Sequence, residues 1–232
     1  VFVLPTLLAF TIGFIVPFIM GVYLSFCKFT TVTDAKFVGL QNYVKIFTED
    51  GTFGHALWYT TAFTVVSVVL INVIGFAVAL LLTKKIKGTN IFRTVFFMPN
   101  LIGGIVLGYV WKFVFNRAFV ALGKSLSIGA LSTSWLATTN GAMACLIIVS
   151  VWQYAGYMML IYVAGFMSVS KSLMEAAQID GCTKTQATIN VTIPLMRSSF
   201  VQCLFLTITR CFMVYDVNLS LTAGAPYGTT EM

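Results

Sequence analysis

Two stretches of the chain, Val1–Phe26 and Ala56–Thr83, contain no charged residue. Each exceeds the run of about 20 apolar residues that a helix needs to cross a hydrocarbon core. Three more apolar runs follow: Thr94–Phe115 with Lys112 near its end, Gly141–Met167, and Ser198–Val217, which Arg210 interrupts. Of the 232 residues, 59% are hydrophobic and only 9% charged, against about 25% charged in a soluble domain. So few charges cannot clothe a globule, so lipid must be the solvent for most of the surface. The predicted fold class is all-α, a polytopic membrane helical bundle, with residues 1–232 forming one transmembrane domain. The first run is too long for the apolar segment of a signal peptide, and no basic leader or small-residue cleavage site accompanies it. Pro5, Pro17 and Pro99 do not argue against helices, because neighbouring groups in a membrane bundle satisfy the freed carbonyls.

The formal net charge of +7 would suggest nucleic acid in a soluble protein. Here the cations sit in short gaps between apolar runs, which points to membrane topology and no nucleic-acid partner. The gap from Lys84 to Arg93 holds Lys84, Lys85, Lys87 and Arg93 with no acid, so it is placed in the cytoplasm. Alternation then puts 168–197 inside as well, and 28–55 and 117–140 outside. Cys27, Cys145, Cys182, Cys203 and Cys211 form no C-x-x-C pair, and His55 has no Cys or His at ligand spacing. Neither a metal site nor a catalytic residue is expected.

The longest polar gap, 168–197, has the period of two short helices split at Gly181. Ser172 and Glu175 have capping-box spacing, as do Thr183 and Gln186. Gly181 suits a helix end that needs positive φ, and Pro194 suits the first turn of the fifth membrane helix. Leu173, Ala176, Ala177 and Asp180 share a face, small and flat enough either to fold back on the bundle or to dock a soluble partner. Glu175-Ala-Ala-Gln-Ile-Asp-Gly181, followed at fixed distance by Val191, Ile193 and Pro194, resembles the EAA loop of binding-protein-dependent ABC permeases. Cys182 and Ala187 depart from that family's usual residues, with Ala187 standing where an aromatic is common. Phe37–Tyr43, Phe92-Arg93 with Phe96–Pro99, and Tyr215-Asp216 with Leu221–Pro226 resemble segments of the family's carbohydrate branch.

That resemblance implies a cytoplasmic coupling loop whose contacts to an ATPase run through Glu175, Ala176, Ala177, Asp180, Gly181 and Pro194. It implies a permease subunit in the bacterial cytoplasmic membrane, carrying a sugar or related solute. The implied partners are cytoplasmic ATPase subunits, a second homologous permease, an extracytoplasmic solute-binding protein and membrane lipid. ATP and Mg belong to the ATPase partners, so this chain is expected to hold no cofactor and to be no enzyme. Six helices are usual in that branch, so a chain of five spans that starts at Val1 without a Met is expected to lack segments at both ends.

Three further patterns admit a functional and a plain reading. Ala118-x₄-Gly123-Lys124-Ser125 matches a relaxed P-loop, but it follows an apolar run in a gap placed outside, and coincidence is the better reading. Gly104-x₃-Gly108 matches a close-packing motif of membrane helices. Trp152, Gln153 and Tyr157 could line a sugar pathway, since rings stack on sugars and an amide bonds hydroxyls; ordinary helix packing is the alternative. The rival to an ATP-driven permease is an ion-coupled secondary transporter or channel. Such a protein usually carries several intramembrane carboxylates or histidines, whereas here only Arg210 and Asp216 come into question.

Overall fold

A computed structural model describes residues 3–48, 51–84, 87–129, 132–226 and 228–230. Lys85 of the basic gap, and Val1 and Met232, lie outside the described residues. The chain divides into two compact units, 1–55 and 56–232. Ten helices form among the described residues: α1 Leu4–Ser25, α2 Gln41–Thr48, α3 Gly51–Thr83, α4 Thr89–Phe97, α5 Gly104–Ser125, α6 Thr139–Ser168, α7 Lys171–Ile179, α8 Lys184–Leu195, α9 Arg197–Phe212 and α10 Tyr215–Leu221. Four of them, α1, α3, α5 and α6, are long and apolar enough to cross a membrane, and α8 with α9 forms a fifth candidate bent by 66°.

In the first unit, α1 carries Phe10, Phe14 and Phe18 as a ladder of stacked rings. After it, β1 (Cys27–Lys28) pairs antiparallel with β2 (Lys36–Phe37). Asp34 holds the intervening turn, its Oδ1 accepting from the Thr30 and Thr31 amides at 3.0 and 2.8 Å. Those amides hold its carboxyl below the usual carboxylate range. The Asn42 side-chain amide donates to the Ser25 and Cys27 carbonyls and pins α2 to the end of α1.

The second unit is built around α6, whose Leu146, Val149, Met158, Met159 and Tyr162 are fully enclosed. A hydroxyl in so dry a setting needs a partner. The Tyr162 hydroxyl donates to Asn72 Oδ1 of α3 at 2.7 Å, and Asn72 Nδ2 donates to Thr207 Oγ1 of α9 at 3.0 Å. One amide thus ties three helices together. Elsewhere small residues set the spacing. A Cβ on Gly104 would stand 2.9 Å from Cβ of Asp216, and one on Gly108 3.0 Å from the Val217 carbonyl oxygen. The Gly104-x₃-Gly108 pair is therefore where α5 and α10 approach. A Cβ on Gly156 would strike the Phe96 carbonyl of α4.

Several boundaries differ from the sequence reading. The run read as Thr94–Phe115 is divided: α4 ends at Phe97, a 3-10 turn spans Met98–Leu101, and α5 starts only at Gly104. Pro99 lacks an N–H and Gly103 is extended, so the helix cannot pass through. At the other end, α5 continues to Ser125, so residues 117–125 are helix rather than loop. Ala118-x₄-Gly123-Lys124-Ser125 is helical throughout and has no phosphate-cradling loop. The run Ser198–Val217 is also broken: α9 ends at Phe212, and α10 begins at Tyr215. Ala56–Thr83 lies within α3, and Gly141–Met167 lies within α6, whose start Thr138 caps.

Candidate functional site

The polar segment 168–197 folds as an α7–turn–α8 hairpin. The α7 terminus is set by Gly181 at φ +83°. The Cys182 amide donates to the Ala177 carbonyl and the Gly181 amide to that of Gln178. This paired closure is the Schellman end, and it needs a residue without a Cβ penalty in the left-handed region. Two residues on, Thr183 and Gln186 close the capping box: the Thr183 amide donates to Gln186 Oε1 at 2.8 Å, and the Gln186 amide to Thr183 Oγ1. The Thr192 hydroxyl reaches Met174 Sδ at 3.3 Å and ties α8 back to α7.

Two expectations for this hairpin fail. Ser172 and Glu175 form no capping box, because α7 starts at Lys171 and both fall inside its first turns; Ser170 is the N-cap residue. Glu175 is an exposed mid-helix side chain. Pro194 does not open the long fifth helix. It lies in the last residues of α8, just before the break at Met196, and Arg197 opens α9.

The face expected from Leu173, Ala176, Ala177 and Asp180 is split. Ala177 is turned inward and 7% exposed, whereas Leu173, Ala176 and Asp180 face out. Ile179, which spacing alone did not single out, stands 86% exposed at the tip beside them. Ala187, the departure from the resembled motif, is fully enclosed. At that position a ring would have no room without moving its neighbours.

The second feature is a cavity of about 560 Å³ within the 56–232 unit. Two backbone breaks meet there, at Ile102–Gly103 and at Met213–Val214, with Arg210, Asp216 and Gln153 on its wall. Non-helical backbone and charge at membrane depth are tolerated where they line a cavity, not where they face lipid. Gln153 is 4% exposed; its Nε2 donates to the Ile102 carbonyl at 3.2 Å, while its enclosed Oε1 has no partner among the described residues. Tyr154 joins this wall, but Trp152 and Tyr157 do not. Trp152 packs edge-on against Trp111, and Tyr157 packs against Phe97. Arg210 and Asp216, left without a partner by a spacing of six, share the wall because the helix breaks between them. Among the described residues no cluster of His, Cys, Asp or Glu could hold a metal.

Residues 71–231 match the model of the family described as binding-protein-dependent transport system inner membrane component. A probable starch degradation products transport system permease protein of Thermoanaerobacterium thermosulfurigenes is 42% identical over 231 residues, covering 100% of this chain and 78% of that protein. A multiple sugar-binding transport system permease protein of Streptococcus mutans is 33% identical over 230 residues, covering 99% and 79%. The fold matches a chain of a bacterial alginate ABC transporter solved in complex with an alginate pentasaccharide-bound periplasmic protein. The TM-score is 0.81 at 19% identity, over 99% of this chain and 77% of that one. With its apolar helices and its hairpin, this chain belongs to the family of binding-protein-dependent inner membrane transport components, as a multi-pass permease of the cytoplasmic membrane.

Proposed function

We propose that this chain forms half of the translocation path of an ATP-driven sugar importer, with the α7–α8 hairpin as its contact to a cytoplasmic ATPase. One observation carries the reading: Ile179 stands 86% exposed at a tip shared with Leu173 and Ala176, on a helix that ends at Gly181. In water such an apolar tip is costly, and a partner's cleft would cover it. Glu175, Ala176, Asp180 and Gly181 form or flank that tip, Ala177 seats α7, and Pro194 lies beside the bend into α9. A second, homologous permease would complete the path, and an extracytoplasmic binding protein would deliver the solute, as the periplasmic protein of the alginate complex suggests. ATP and Mg would be bound by the ATPase partners.

The names of the relatives support a carbohydrate as cargo. The cavity agrees with that chemistry. Gln153 has a spare acceptor, Arg210 offers donors and Asp216 acceptors for hydroxyls. Closure of the ATPases would drive the hairpin, and the bend at Met196 would carry that motion to α9 and the Arg210 wall.

The test is uptake of labelled oligosaccharide together with co-purification of the ATPase, in Gly181→Val and Ile179→Asp. Both variants should insert in the membrane, lose the ATPase and lose uptake. Full uptake by both would remove the hairpin from the coupling path.

A further inference from the structure

A groove of about 1030 Å³ opens at the hairpin end of the 56–232 unit, between the end of α3, the start of α4, the end of α6, and α7 with α8. Its floor is apolar, built from Leu80, Phe166 and Val169. Its walls carry Lys84, Arg93 and Lys184, and among the described lining residues Glu175 is the one carboxylate. Three cations thus face one anion. Arg93 Nε is enclosed and has no acceptor among the described residues. A charged donor left unmet in an enclosed place is costly, and an anionic oxygen relieves that cost.

The ligand chemistry follows from this mixture. A free anion would find its charge matched but would leave the apolar floor wet. An acidic protein segment would have to enter between helices whose neighbouring surface is apolar. A phospholipid satisfies both halves, with its phosphate on the cations and its glycerol and first methylenes on Leu80, Phe166 and Val169. The groove also lies at the end that carries the basic gap, where cations mark the cytoplasmic leaflet, and that leaflet holds anionic lipid.

We propose that this groove binds the headgroup of one anionic phospholipid, which steadies α7 from behind and so tunes coupling. The regulatory half of this rests on the hairpin being the ATPase contact; the binding half does not.

The experiment uses the assembled transporter, delipidated in detergent and given phosphatidylglycerol or phosphatidylcholine, with retained lipid read by native mass spectrometry. The wild type should keep phosphatidylglycerol and release phosphatidylcholine. Each cation near an anionic headgroup is worth about a fivefold change in affinity, so R93Q/K184Q should bind phosphatidylglycerol about 30-fold more weakly. K124Q, outside the groove, should not change it. Equal retention of the two lipids by the wild type overturns the proposal without recourse to any variant. Unchanged retention in R93Q/K184Q also overturns it, as does displacement by millimolar inorganic phosphate, which would mark a free-anion site, or by an acidic peptide. Full uptake by Gly181→Val and Ile179→Asp, with phosphatidylglycerol still retained, would count against the hairpin reading alone.

Discussion

Asn72→Leu removes a side chain whose hydrogen bonds join α3, α6 and α9. Asn72 accepts from Tyr162 at 2.7 Å and donates to Thr207 at 3.0 Å, so two interhelical hydrogen bonds disappear. In membrane bundles such bonds average about 0.6 kcal/mol each, which gives about 1.2 kcal/mol. The groups left behind are unequal. Thr207 keeps its bond to the Cys203 carbonyl at 2.7 Å and loses little. Tyr162 is 1% exposed and its hydroxyl would be left with only the Cys203 sulfur, a weak acceptor, a penalty of about 1–3 kcal/mol. The expected destabilisation is therefore about 2–4 kcal/mol. Tyr162→Phe alone should cost about 2–4 kcal/mol as well, since it removes one bond and leaves the buried Asn72 Oδ1 without the donor it has among the described residues. Adding Tyr162→Phe to Asn72→Leu should recover about 1 kcal/mol or more, because the stranded hydroxyl is gone. Unfolding in mixed micelles, followed by the loss of helical signal, measures all three. A strictly additive pair, or an Asn72→Leu cost below about 0.5 kcal/mol, would refute the idea that this amide is a joint.

Gly156→Ala should lower thermal stability sharply, since its Cβ meets the Phe96 backbone, whereas Gly13→Ala meets nothing within 4 Å and should stabilise by about 0.5–1 kcal/mol. Scanning calorimetry of the two variants checks the contrast. Gln153→Leu should raise the KM for uptake several-fold while leaving ATPase co-purification intact, and a KM equal to wild type would take Gln153 off the path. Asp34 titrates below its unfolded value because the Thr30 and Thr31 amides favour its charged form. Its capping contribution is thus present above the unfolded pKa and is lost as pH falls through the lowered folded pKa. Protection of the Thr31 amide, its exchange rate relative to the intrinsic rate at the same pH, should therefore hold through the neutral range and fall only in acid; a fall near neutrality would contradict the assignment.

The helices that sequence located best are those where every residue tells the same story. Ala56–Thr83 has no charge, and α3 contains it whole. Thr94–Phe115 misled because hydropathy is blind to backbone. Phe96-Phe97-Met98-Pro99 is as apolar as any helix interior, yet Pro99 and the two glycines after Ile102 part α4 from α5. Gly181 and the Thr183–Gln186 box were legible because each rests on local geometry, one positive φ and one i, i+3 exchange. Ser172 and Glu175 have the same spacing but the wrong register, which only the start of α7 at Lys171 reveals. Arg210 could not be placed from sequence, since its shared wall with Asp216 depends on a break at Met213–Val214 that no Pro or Gly announces. Ile179 carried a signal that spacing ignored, a large apolar side chain between Gln178 and Asp180 at the end of a polar hairpin.

The 66° bend at Met196 makes α8 an arm and its junction with α9 an elbow. Twelve helical residues span about 18 Å, so a 3 Å push at the Gly181 end turns the arm by about 10°. Met196 is 1% exposed at the pivot, and a Cβ added at Gly165 would stand 2.9 Å from the end of its side chain. An elbow so tightly seated has little slack, so under the proposed ATPase contact a stroke at the hairpin would pass into α9 as rotation rather than be absorbed as bending. Lengthening α8 by one turn should therefore alter the gearing: under the proposed contact, a longer stroke at the tip would be needed for the same angle at Arg210.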